Sequence, residues 1–205
     1  MEILLSEIGK KYNRQWIFKN ISTVLSGGVR YVIKGKNGSG KSTLLKLVTG
    51  IVLPSEGKLT YRKDSIVVTD EMMFKHISFC SPYQNLFPEL TLEEHIKYHF
   101  KFKECYNKNI LNEDIEVLGL KKKSKSFVRE LSSGQVQRLK LILAINSISD
   151  VLALDEPLSN LDFEGIDWYK KKIAGIDDSR VLILASNNKE EFSFTHKELQ
   201  IADFN

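Results

Sequence analysis

Short β-like runs open the chain, Glu2 to Ile8 and Ile17 to Leu25, broken by polar residues and ending at Ser26-Gly27-Gly28. Such runs bounded by a Ser-Gly-Gly cluster predict a strand-rich amino-terminal edge. Val29 to Lys34 reads as a further strand that stops at Gly35. Beyond it, Leu44, Leu45, Leu47 and Val48 fall on one face of a helix over Lys41 to Val48. The pattern is therefore strand, glycine loop, helix. From Gln84 to Glu130 the texture becomes charged and helix-like, with Leu92, Ile96 and Phe100 repeating at every fourth position in Thr91 to Phe102, which predicts a helical subdomain. Val151 to Leu154 and Val181 to Ala185 are short and wholly apolar, as strands buried on both faces of a parallel sheet are. A terminal strand is expected within Phe194 to Asn205, and no internal repeat is visible.

Length and composition narrow this to one α/β unit. At 205 residues the chain is long enough for one sizeable domain; its 42% apolar and 27% charged composition is that of an ordinary globular protein. No stretch approaches the roughly 18 uninterrupted apolar residues of a membrane span. Cys80 and Cys105 match no metal-ligand spacing, and the amino terminus has no basic region followed by a long apolar core, so a cytoplasmic address is expected. The formal charge of +4 includes the run Lys121, Lys122, Lys123 and Lys125. That run reads as a solvated surface, and no direct nucleic-acid partner is expected.

The loop after the third strand carries the sharpest chemistry. Gly35-Lys36-Asn37-Gly38-Ser39-Gly40-Lys41-Ser42 fits the phosphate-loop pattern G-x-x-x-x-G-K-[ST] in its strand-to-helix setting. Its glycines leave room for successive N–H groups to converge on phosphate oxygens at a helix amino terminus. Lys41 brings a positive charge to the β- and γ-phosphates, and the Ser42 hydroxyl suits Mg²⁺, with Thr43 following among the expected nucleotide contacts. The loop alone leaves kinase, GTPase and motor ATPase open.

Two further elements narrow the choice. Asp155-Glu156-Pro157 sits at the carboxyl end of a buried strand, where open α/β sheets bind ligands. Asp155 suits the metal, and Glu156 suits the water that attacks in line with the γ-phosphate. Leu131-Ser132-Ser133-Gly134-Gln135 precedes Val136, Leu139, Ile142 and Leu143 at helical spacing, so its serines stand where helix caps belong. By itself that is a capped helix; an open amino terminus is also an anion site.

The phosphate loop, the Leu-Ser-Ser-Gly-Gln element and the Asp-Glu-Pro strand end, in that order, make the chain resemble the ABC ATPases over nearly its whole length. The resemblance implies an α/β fold of P-loop NTPase type, with a mostly parallel core sheet, an antiparallel β edge and a helical subdomain. It implies one cassette over residues 1–205, with the core in 1–84 and 150–205 and the helical part in about 85–149. It places Tyr12 where an aromatic stacks on adenine, Gln84 where a glutamine senses Mg²⁺ and couples to a permease, and Ser159 to Asp162 where the family's D-loop lies. Ser133 stands where glycine is usual in the signature. The implied assembly is a head-to-tail dimer with a second copy or a homologous cassette. In it two ATP molecules lie between one subunit's loop and the other's Ser132, Ser133, Gly134 and Gln135. The helical part is then expected to dock on a transmembrane permease at the inner face of the membrane.

Two positions depart from the family's pattern. Asn187 occupies the place of a histidine that contacts the γ-phosphate; an amide donates a hydrogen bond but carries no charge and takes no proton near neutral pH. Slow hydrolysis is the consequence expected, with His196 read as a surface or edge-strand residue. Lys36 replaces a common proline, its side chain expected to point to water. The main expectation is a transporter motor with a weak likeness to small haem-exporter cassettes. A soluble ABC protein acting on nucleic acid or ribosomes would bring coiled-coil insertions or a second cassette, and a regulatory ATP-binding subunit is opposed by the intact Glu156.

Overall fold

The computed structural model describes Met1–Phe204, so that Asn205 of the expected terminal strand lies outside the described residues. The chain divides into two compact units. The first comprises Met1–Phe79, Asp150–Glu156 and Asp177–Asn205, the second Cys80–Ser149 and Pro157–Ile176. Pro157–Ile176 thus groups with the helical residues, whereas the family resemblance implies a place in the core.

Two sheets make up the first unit. The antiparallel one has the order β2-β1-β4-β5, from strands β1 (Glu2–Tyr12), β2 (Gln15–Ser26), β4 (Glu56–Lys63) and β5 (Ile66–Val68). The other has the order β6-β7-β8-β3-β9, from β3 (Arg30–Lys34), β6 (Ile77–Cys80), β7 (Val151–Asp155), β8 (Val181–Ala185) and β9 (Lys197–Gln200). Within it β7 and β8, β8 and β3, and β3 and β9 pair in parallel. Every residue of β7 and β8 is buried, as their unbroken apolar runs require. Helix α1 (Lys41–Val48) lays Leu44, Leu45, Leu47 and Val48 into one core with Ile33, Ala153 and Ile183 of the parallel sheet and Ile3, Leu5, Phe18 and Ile21 of the antiparallel one. Short helices α2 (Met73–His76) and α7 (Lys189–Phe192) complete this unit.

The first hairpin is longer than the apolar runs suggest. Register shifts between Leu5 and Lys11, with Glu7 at φ 51°, bulge β1 and break the alternation by which a strand is read. The hairpin closes at Asn13 and Arg14, both at positive φ, which leaves Tyr12 at its tip beside Gln15. At the other end of the chain the expected terminal strand shrinks to β9, followed by a 3₁₀ turn over Ile201–Phe204.

The second unit is helical: α3 (Leu92–Phe102), α4 (Lys108–Val117), α5 (Ser133–Asn146) and α6 (Phe163–Ala174). Thr91 and Glu94 form a reciprocal capping box at the start of α3. Asp114 of α4 is buried and accepts hydrogen bonds from Asn146 of α5 at 2.9 Å and from Trp168 of α6 at 2.8 Å, with Lys172 of α6 at 2.7 Å. One carboxylate therefore ties three helices together, with its charge paired as burial demands. Among the described residues no helix is long and apolar enough to cross a membrane.

Candidate functional site

Helix α1 begins at Gly40, whose φ of 107° only glycine adopts without strain and where any Cβ would collide with Ile17. The chain reaches it through a tight loop, closed by a hydrogen bond from the Ser39 amide to the Lys36 carbonyl at 3.1 Å. Inside this loop the Lys41 ammonium is almost wholly buried, donating to the carbonyls of Gly35 at 2.9 Å and Lys36 at 3.2 Å. Among the described residues no carboxylate is its partner. The Ser39 hydroxyl is buried with no partner among the described residues. A buried cation held by neutral oxygens beside an unsatisfied hydroxyl is poorly compensated, and an anion drawn into the loop would satisfy both. Lys36, Asn37 and Gly38 are exposed along the rim, while Ser42 and Thr43 are half-buried in the first turn of α1.

The carboxylates meet the loop from β7. Asp155 is buried and accepts a hydrogen bond from the Ser42 hydroxyl at 2.9 Å, so the two oxygen donors expected to hold a metal are adjacent in the same unit. Their chemistry, a hydroxyl and a carboxylate, fits a hard divalent cation. The amide of Glu156 continues the sheet by donating to Ala185 at 2.9 Å, after which the chain turns away at φ 41°. A left-handed glutamate is strained by about 1 to 3 kcal/mol, and such strain gathers at working sites.

Asn187 follows β8 and is exposed beside the loop. Its Nδ2 donates to Asn37 Oδ1 at 3.2 Å, and its Oδ1 accepts a long hydrogen bond from the Gly35 amide at 3.5 Å. Both ends of the amide thus lie on the phosphate loop. The His196 ring accepts from the Arg30 amide at 3.3 Å, on the β3 backbone. Tyr12 is half-exposed, with the Lys10 ammonium 5.0 Å from its ring centroid.

Gln84, the signature residues and Asp162 belong to the second unit. Gln84 is exposed and closes a turn by donating its amide to Ser81 at 3.1 Å. Ser132 caps α5: its hydroxyl accepts from the Gln135 amide at 3.3 Å, and the Gln135 side chain accepts from the Ser132 amide at 3.0 Å. Ser133 is the first residue of that helix, and a Cβ on Gly134 would stand 2.8 Å from the Asn160 carbonyl, so this position has no room for a side chain. Asp162 caps α6 through Gly165 at 3.0 Å and pairs with Arg138 of α5. The Gly165 amide and then the Arg138 guanidinium hold its carboxyl below the usual carboxylate range. Arg138 escapes a reading by motif because its partner lies on another helix; only its burial marks it as more than a surface cation.

Residues 18–159 match the family described as ABC transporter. The chain is 31% identical over 157 residues to YcbN of Bacillus subtilis, an uncharacterized ABC transporter ATP-binding protein; the match covers 77% of this chain and 51% of that one. The chain spans about half the length of such curated relatives. In fold it is similar to a putative ABC transporter ATP-binding protein of Pyrococcus furiosus, with TM-score 0.81, 19% identity and full coverage of both chains. It is similar also to a dimeric ATP-binding cassette in a post-hydrolysis state with ADP and Pi, with TM-score 0.74, 21% identity and 97% and 93% coverage. At these identities the structures speak to the fold alone.

The backbone of Glu156 offers a direct check on why that residue is there. Glycine relieves left-handed strain, so Glu156→Gly is expected to raise the unfolding free energy by about 1 kcal/mol in urea titrations. A loss of stability on that substitution would mean that the glutamate is kept for the fold.

Proposed function

The chain belongs to the ABC transporter family, and we propose that it is the ATP-binding and ATP-hydrolysing motor of a membrane transporter. The observation that carries this reading is the buried Lys41 ammonium, held by loop carbonyls beside the Ser42–Asp155 pair. With ATP bound, Lys41 would exchange the Gly35 and Lys36 carbonyls for β- and γ-phosphate oxygens. The Ser39 hydroxyl and loop amides would supply further donors, and Tyr12 would stack on the adenine. Ser42 and Asp155 are the groups that would hold Mg²⁺, whose charge screens the phosphates against one another, and the family resemblance gives Gln84 the part of sensing that ion. Glu156 would take the proton of the attacking water, and Asn187 would turn its amide from Asn37 to the γ-phosphate.

The signature Ser132, Ser133, Gly134 and Gln135 would close over the nucleotide held by a second copy or a homologous cassette, with Asp162 on the segment between. This arrangement rests on the family resemblance; one solved cassette of the same fold is described as dimeric. The partner that crosses the membrane would be a separate permease. Phe87, Tyr98 and Phe102 of the helical unit are exposed, with ring centroids 5.2 Å apart in succession, an aromatic surface suited to such a partner at the inner face of the membrane. Nucleic acid fits less well: Lys121 pairs with Glu116 and Lys125 with Glu93, which neutralises half of the lysine run.

A slow motor is the second reading, favoured by Asn187. Its amide hydrogen-bonds a phosphate oxygen but adds no charge as the transition state forms.

Two measurements follow. Glu156→Gln removes the proton acceptor and keeps the binding groups, so in saturating Mg-ATP it is expected to sediment as a dimer with turnover abolished; a monomer would overturn the sandwich. Asn187→His is expected to raise kcat about tenfold, or about 1.4 kcal/mol of transition-state stabilisation, with a smaller change in KM. Unchanged turnover would remove residue 187 from the γ-phosphate.

A further inference from the structure

One buried charge in the helical unit is used by none of the chemistry above. Lys140 lies in the middle of α5, about two turns beyond the Ser132 cap, and is only 6% exposed. Its ammonium donates to the carbonyl of Pro82 at 2.8 Å and to that of Ser81 at 3.2 Å. Its neighbours on α5, Leu139, Leu141, Ile142 and Leu143, are all buried. Burial pushes the Lys140 ammonium below the usual lysine range. Two neutral carbonyls compensate a desolvated ammonium only in part, and an apolar side chain in the same place would escape the desolvation. Stability by itself therefore does not ask for a lysine here.

What the ammonium grips gives the reason. The Ser81 carbonyl also accepts the Gln84 amide at 3.1 Å, so Ser81 to Gln84 is a hydrogen-bonded turn with Pro82 at its second position, where the fixed φ of proline suits it. Lys140 fastens the carbonyls of the first two residues of that turn, and Gln84 projects from the end of it, exposed. The helix that carries Lys140 is the one that Ser132 and Gln135 cap. We infer that Lys140 is a positioning residue for Gln84, clamping the Ser81–Gln84 turn to the signature helix so that glutamine and signature move as one body.

This inference rests on the reading of Gln84 as a group that meets the metal and the nucleotide. The clamp itself is separate from that reading and can be tested apart from it. Lys140→Met keeps the length of the side chain and removes the donors, and it is expected to melt no lower than the wild type. In hydrogen exchange on the full chain, the Gln84 amide should exchange about tenfold faster in this variant, with the α5 amides unchanged. In steady-state hydrolysis of Mg-ATP, kcat should fall about tenfold with KM within about twofold, as placement rather than ground-state binding is lost. Gln84→Ala should fall by a similar factor, and the double variant no further, because both changes remove the same placement. Lys140→Arg, which keeps donors, should recover part of the loss. Unchanged exchange at Gln84 in Lys140→Met overturns the clamp, and losses that multiply in the double variant overturn its link to Gln84. Wild-type turnover in Gln84→Ala would instead remove Gln84 from the reaction, with the exchange rate still deciding the clamp.

Discussion

A lysine ammonium buried without a carboxylate is the constraint around which the first unit is arranged. Among the described residues Lys41 has only the carbonyls of Gly35 and Lys36 to oppose its charge. Neutral dipoles offset such a charge incompletely in a partly desolvated pocket, so the loop has an appetite for anions. The surrounding structure exists to keep the charge in place: α1 is anchored by four buried aliphatic side chains, Gly40 lets the loop pass under Ile17, and the buried β7 and β8 bring Asp155 and Asn187 to its edges. The unpartnered Ser39 hydroxyl and the strained Glu156 are further departures from what stability favours.

The second unit solves a different problem, that of holding polar surface elements in fixed relation. Its elements are joined by polar contacts: the buried Asp114 between α4, α5 and α6, Arg138 to the half-exposed Asp162, and the buried Lys140 to the Ser81–Gln84 turn. Apolar packing alone would permit helices to slide, whereas directional hydrogen bonds in a low-dielectric interior fix register. Gln84, Ser132 to Gln135 and Asp162 are all carried on elements braced in this way.

Much of the candidate site's local structure was legible in the sequence because its residues are contiguous. The loop from Gly35 to Ser42, the Asp155-Glu156 pair and the Ser132 cap are local patterns whose chemistry follows from spacing, and β3, α1 and β8 begin and end close to where their apolar runs do. Other parts were hidden for physical reasons. The bulge at Glu7 shifts the face on which side chains lie, so β1 and β2 read as shorter than they are. β4 is polar along most of its length and gives little apolar signal, while β5 and β6 are apolar but only three and four residues long. Family resemblance marked Asp162, but nothing in its neighbourhood announced Arg138, and Lys140 is silent in sequence because its acceptors are main-chain carbonyls on a distant turn.

The claim on which the account depends most is that Lys41 awaits a triphosphate. Calorimetric titration of Mg-ATP into the full chain and into Lys41→Ala tests it most directly. Mg-ATP is expected to bind the wild type, and to bind the variant more weakly by about 2 kcal/mol or roughly thirtyfold through loss of a charge-assisted contact. Equal affinity in the two proteins would contradict it.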